Sequence, residues 1–228
     1  MDKRSFREGV RDALPIVLGY LPVGMTFGIL ARKGGLTSFE VGLMSLFVYA
    51  GASQFLAIEM ISKGIPAFSI ILATFFINLR HFLMSSNFSV YLKNVRLPIL
   101  GLLSAQMTDE SYAVAISKLP WVKNRAPYLV GLQMTSQAAW VGGSVAGAFF
   151  SSLAKSTGWG LPFALPAIFI CLLVLQIRNA HHLSVMAIAG IFSVFFKWAI
   201  PGNWYILLTA LFASGVGMMI EIGWSKKP

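Results

Sequence analysis

Apolar residues run along this chain in long blocks separated by short polar connectors, at 13–31, 39–61, 66–92, 127–153, 161–177, 183–200 and 204–222. Each block reaches or approaches the roughly 20 residues that a helix needs to span a hydrocarbon core. None shows the short in-and-out alternation of a membrane β-strand. An eighth segment, 97–119, is apolar at both ends but carries Gln106, Thr108, Asp109 and Glu110 in its middle. The pattern predicts an all-α, polytopic membrane helix bundle of seven to eight transmembrane segments, forming a single membrane domain over residues 1–228. Within it, residues 1–12 read as an amphipathic helix on the cytoplasmic face, with Phe6, Val10 and Leu14 at helical spacing. Residues 13–222 form the bundle and 223–228 a cytoplasmic tail. The amino terminus lacks the apolar core and cleavage site of a secretory signal.

Composition strengthens the membrane reading. Only 11% of the 228 residues are charged and 57% are hydrophobic, with a mean hydropathy of +0.74, where a soluble domain carries about a quarter charged residues. The net charge of +10 does not point to nucleic acid, because Lys and Arg sit mostly at the ends of apolar blocks, as membrane topology requires. With the amino terminus inside and all eight segments crossing, eleven of the 18 Lys and Arg fall on inner connectors, six on outer ones and Arg80 within a span. If 97–119 did not cross, Lys93, Arg96, Lys118, Lys123 and Arg125 would all lie outside, so eight crossings fit the charge pattern better. The single cysteine, Cys171, can form no internal disulfide and reads as a small buried apolar residue.

Several spans carry helix-disturbing residues. Pro15, Gly19, Pro22, Gly24 and Gly28 fall in the first block, and Pro162 and Pro166 lie further on. Proline removes a backbone donor and clashes with the preceding turn, and inside a bilayer the freed carbonyls must face protein or a water-filled cavity. The first span is therefore expected to be broken, either along a transport pathway or as a packing kink. The spacing Gly24–Gly28 recurs as Gly143–Gly147, which hints at an internal repeat and also fits two helix-packing faces.

Polar residues inside spans are expensive, which makes them informative. Gly51, Ser53 and Gln54 interrupt the second block. Gly51 permits close approach, and the Gln54 amide can pair with either end of a zwitterion or act as interhelical glue. Asn78, Arg80 and His81 lie about twelve residues into the third block. A guanidinium at that depth needs a carboxylate, a water-filled cavity or a substrate carboxylate, and His81 can change protonation near neutral pH. Asp109 and Glu110 point to helix faces some 100° apart, so one can pair with Arg80 or hold a transported proton. Gln133, Ser136, Gln137 and Trp140, at i, i+3, i+4 and i+7, line one helix face that is polar within the membrane and calls for a cavity or a partner helix. Glu59 and Glu221 read as interfacial, and His181-His182 beside Arg178 as a charged flank. No metal-ligand spacing, phosphate-binding loop or nucleophile elbow is present, so neither an enzyme nor a metal or cofactor site is expected. A carrier working by alternating access leads; a channel and a non-transporting membrane scaffold or sensor are the competing classes.

Gly19-Tyr20-Leu21-Pro22-Val23-Gly24 with Phe27-Gly28, then Ala50-Gly51-Ala52-Ser53-Gln54, Asn78-Leu79-Arg80-His81 and Thr108-Asp109-Glu110-Ser111, in that order and spacing, resemble the AzlC family, the large subunits of bacterial branched-chain amino acid exporters. The resemblance is dense in the amino-terminal half and elsewhere rests on the Gly-rich apolar pattern. It implies a multi-pass protein of the bacterial cytoplasmic membrane that exports valine, leucine, isoleucine or methionine with a small hydrophobic AzlD-type partner subunit. On that reading Gly51, Ser53, Gln54, Asn78 and Arg80 bind substrate. His81, Asp109 and Glu110 couple a proton, and Gln133, Gln137 and Trp140 line a polar pathway.

Overall fold

The structure, a computed structural model, describes residues 2–92, 95–152 and 180–199, with individual positions within 163–177 and 208–219. The expected segments 161–177 and 204–222, together with Cys171, Arg178 and the tail 223–228, lie wholly or largely outside the described residues. Among the described residues all regular structure is helical, and three helices are long and apolar enough to cross a membrane: Leu14–Lys33, Ala67–Leu92 and His182–Ala199. Contacts divide the chain into two units, Met1–Leu165 and Pro166–Pro228.

In the first unit, α1 (Lys3–Asp12) leads into α2 (Leu14–Lys33). Helical bonding passes through the junction, with Ala13 N donating to Gly9 O and Val17 N to Ala13 O. The expected break in the first span is absent. Pro15 sits in the first turn of α2, where its missing N–H would be unpaired anyway, and α2 continues through Pro22. Nor does α1 lie across the end of the bundle as a surface helix. Its Ser5 and Gly9 are buried, and a Cβ built on Gly9 would fall on the Tyr128 carbonyl of α8 (Arg125–Phe150).

α1 and α2 run parallel to α8 along its length. Asn124 Nδ2, at the start of α8, donates to Asp2 Oδ2 at 2.6 Å. Further along, a Cβ on Gly24 would come 2.9 Å from Trp140 O, and one on Gly143 2.7 Å from Leu21 O. Gly28 lies against Ser144 and Ala148, and Gly147 against Met25. The two Gly-xxx-Gly pairs therefore face each other, each letting the opposite backbone approach as small residues do in membrane helix pairs.

The blocks 39–61 and 97–119, expected to cross as single spans, are not single helices. Each is a helix–break–helix hairpin. α3 (Ser38–Phe47) starts at the Lys33 end of α2 and passes Val145 at Gly42. It ends with Leu46 O bonded to Gln137, halfway along α8. After the break at 48–50, α4 (Gly51–Ser62) turns back, packing Phe55 on Phe27 at 5.5 Å and Ile58 near Gly34. α5 (Ala67–Ser89), extended by one 3-10 turn at Val90–Leu92, then runs to the opposite end, where Arg125 Nη1 donates to Tyr91 O at 2.8 Å.

The second hairpin starts from that end. α6 (Leu97–Ala105) runs inward, bringing Leu103 and Gln106 to Gln133 and Gln137. After the break at 106–108, α7 (Asp109–Lys118) returns, and residues 122–127 lie beside Val90, Tyr91, Leu92 and Val95. Each arm is 9–12 residues long, or about 14–18 Å at 1.5 Å per residue, half of a hydrocarbon core about 30 Å thick. The helix boundaries recur with inverted direction roughly 58 positions apart, 33 to 92, 38 to 97 and 51 to 109.

In the second unit, α9 (Ala180–Ala199) stacks Phe196 on Phe192 at 5.9 Å, and Phe196 meets Phe212 at a tilt, 5.4 Å away.

Candidate functional site at two facing helix breaks

A helix that stops inside an apolar protein leaves carbonyls at one end and N–H groups at the other without partners. Here glutamine amides meet the carbonyls. Gln54 Nε2 donates to Met44 O at 2.9 Å, and Trp140 Nε1 in turn donates to Gln54 Oε1 at 2.8 Å. Gln137 Nε2 donates to Leu46 O at 3.0 Å, while Gln106 Nε2 donates to Gln137 Oε1 at 2.7 Å. Gln133 Nε2 donates to Leu103 O at 2.9 Å. The polar stripe on α8 thus serves partner helices. Gln133 braces the end of α6, Gln137 braces α3, and the Gln106–Gln137 bond ties the two breaks together.

Gly51 has a clear steric role. A Cβ there would come 2.9 Å from the Trp140 ring, so glycine lets the indole close over the start of α4. The ring also meets Tyr20 edge-on at 5.4 Å and stacks near Phe27 at 6.1 Å, forming an aromatic cluster beside the breaks.

The second break carries the charge. Thr108 and Ser111 form a reciprocal capping box that starts α7, leaving Asp109 and Glu110 in its first turn, where the helix dipole favours carboxylates. As their angular separation requires, the two go to different neighbours. Asp109 Oδ2 pairs with Arg80 Nη1 of α5 at 2.6 Å, both side chains being little more than a quarter exposed. Glu110 Oε2 accepts from the Tyr20 hydroxyl of α2 at 2.6 Å, with Thr108 Oγ1 2.8 Å from the same hydroxyl. His81, partly buried, lies within electrostatic reach of Arg80 and Glu110. Ser53 Oγ of α4 donates to Asn78 Oδ1 of α5 at 2.5 Å.

The expected substrate residues are therefore divided among three places. Gln54 and Gly51 belong to the Trp140 contact, Ser53 and Asn78 clasp α4 to α5, and Arg80 joins Asp109. Tyr20, within the Gly19–Gly24 motif, and Tyr49, which heads the polar cluster 49–54, carry no assigned role in the sequence. Their signal was a phenol hydroxyl in an apolar segment, a group that needs a partner when buried. Tyr20 finds one. Tyr49, 8% exposed, rests edge-on to Tyr20 at 6.4 Å, and its hydroxyl is buried without a hydrogen bond. Among the described residues no group of His, Cys, Asp and Glu is placed to hold a metal ion.

Apolar helices long enough to cross a membrane, beside two hairpins that stop midway along α8, define a helical integral membrane protein with discontinuous helices. Residues 15–154 match the family described as AzlC protein, and the chain belongs to that family. It is 36% identical to a protein of Archaeoglobus fulgidus named an uncharacterized membrane protein, over 77% of this chain and 78% of that one. It is 29% identical to the inner membrane protein YgaZ of Escherichia coli, over 98% and 94% of the two chains. It is 25% identical to the branched-chain amino acid transport protein AzlC of Bacillus subtilis, over 95% and 87%. No solved structure matches the chain.

Proposed function

We propose that this chain is the transporting subunit of an exporter of the branched-chain amino acids valine, leucine and isoleucine, with methionine as an unbranched further substrate, in the cytoplasmic membrane. The observation that carries the reading is the meeting of two helix breaks at the midpoint of α8, with the Arg80–Asp109 ion pair beside them. Unwound backbone and ionisable side chains at membrane depth are costly and are tolerated where a solute is handled. The Bacillus subtilis relative's name supplies the substrate class.

Orientation follows from the hairpins. With both segments returning, Lys3, Arg4, Arg7, Arg11, Arg96, Lys118, Lys123 and Arg125 collect at the Asp2–Asn124 end, against Arg32, Lys33 and Lys63 at the other. The positive-inside rule places the first end in the cytoplasm. His81, Asp109 and Glu110 form the titratable cluster that we assign to proton coupling, and a small hydrophobic AzlD-type subunit completes the exporter.

The test is the intracellular content of valine, leucine, isoleucine and methionine after feeding dipeptides, with and without the chain and its small partner. Accumulation when either is missing supports the proposal. Unchanged pools overturn it. Export indifferent to an imposed pH gradient overturns the proton assignment alone.

A further inference from the structure

We infer that Arg80 and the first turn of α7 form a receptor for the two charged ends of a free α-amino acid, so that the solute must carry both a carboxylate and an ammonium group. The inference rests on the amino acid transport reading and assigns its headgroup subsite.

The guanidinium of Arg80 is only half used. Nη1 is committed to Asp109 Oδ2, whereas Nε is buried without a partner. A buried N–H donor left unpaired is destabilising, and the Nε edge of a guanidinium has the fork geometry that binds a carboxylate through two parallel bonds. Across the pair, Asp109 Oδ1 and Glu110 Oε1 make no hydrogen bond among the described residues. Two carboxylates against one guanidinium leave the cluster one negative charge in excess, which suits an ammonium group. The Tyr49 hydroxyl, buried beside Tyr20, Thr108 and Glu110, offers a further acceptor on that side. A zwitterion thus satisfies the free donor edge and the free carboxylate oxygens together. A species with one charge satisfies one and leaves the other unpaired, the arrangement that rejects analogues most strongly. The aromatic cluster of Tyr20, Phe27 and Trp140 supplies an apolar neighbour for an aliphatic side chain.

The experiment is uptake of labelled leucine into everted membrane vesicles from cells that carry the chain and from a deletion strain. Competitors are leucine, leucinamide, 4-methylpentanoate and isopentylamine. Leucine is expected to compete at its own half-saturating concentration, and each singly charged analogue at a concentration about 100-fold higher or more. Arg80→Lys, which keeps the charge and removes the Nε–H edge, is expected to raise the half-saturating leucine concentration about tenfold or more. Tyr49→Phe is expected to raise it by a smaller factor. Competition by leucinamide or 4-methylpentanoate within about threefold of leucine overturns the receptor while leaving amino acid transport standing. Equal leucine uptake by both sets of vesicles overturns the transport reading and the receptor with it.

Discussion

At the scale of single residues, the Arg80–Asp109 pair is intermediate between a surface bridge and a buried one. Removing one partner leaves a charge in a poorly solvated place. Asp109→Asn is expected to lower stability by about 1–3 kcal/mol, between the values for exposed and buried pairs. Thermal unfolding of the purified protein in detergent reads this. The double variant Asp109→Asn/Arg80→Gln should recover part of the loss, and a double variant no better than the single one refutes the account. At the other end of the chain, the Asp2 carboxylate accepts from Asn124 Nδ2, Ser5 Oγ and Arg4 N. These bonds hold its pKa down at about 2, from an ordinary 3.8. A lowered carboxylate contributes its stability in full above its ordinary value and loses it as pH falls toward the folded one. Amide exchange of α1, corrected for intrinsic rate, should therefore be flat above about pH 5 and rise below about pH 4, with Asp2→Asn abolishing the dependence. Sequence located the polar clusters well, because a charge or amide in an apolar block stands out. Their partners were not legible. Whether Gln137 faces solute or a carbonyl depends on where a helix 91 positions away happens to stop.

At the scale of elements, the decisive surfaces are glycine faces. Gly28 and Gly147 admit the backbone of the opposing helix, whereas a Cβ on Gly19 or Gly142 would meet nothing within 4 Å. Gly28→Ala and Gly147→Ala should each cost about 1–3 kcal/mol through forced backbone shifts. Gly19→Ala and Gly142→Ala should be neutral or stabilise by about 0.5–1 kcal/mol, since alanine loses less conformational freedom in a helix. Equal effects at all four positions would rule out the close α2–α8 contact. The paired Gly spacing was visible in the sequence, and so was each apolar block. The positions of the breaks are not marked by proline. Pro22 is carried inside α2, and the chain turns instead at Val48-Tyr49-Ala50 and Gln106-Met107-Thr108, which contain no proline. The usable signal was the matched position of the polar clusters 49–54 and 106–111, each near the middle of its block.

For the whole molecule, direction matters more than hydropathy. An apolar stretch of about 23 residues crosses if straight and returns if folded at its middle, and a window average cannot tell these apart. Charge counting with a single non-crossing segment inverted everything after it. Two non-crossing segments restore the parity and sharpen the asymmetry. On a background of Cys171→Ser, Arg96→Cys and Lys118→Cys should react with an impermeant thiol reagent from the same side as Arg4→Cys. Lys33→Cys and Lys63→Cys should react from the opposite side. Labelling of positions 96 and 118 from opposite sides would show that 97–119 crosses.

The parallel pairing of α2 with α8 also sets a schedule for synthesis. The two glycine faces are separated by roughly 120 residues of chain, which a ribosome takes about 6–24 s to translate. For that interval α2 sits in lipid with its narrow face uncovered, and the carbonyls of Leu46 and Leu103 lack Gln137 and Gln133 of α8, which later cap them. The amino-terminal half must therefore be held by the insertion machinery or by surrounding lipid until α8 arrives. A nascent chain ending before residue 125 should be a ready target for membrane proteolysis, and one extended past residue 150 should resist it.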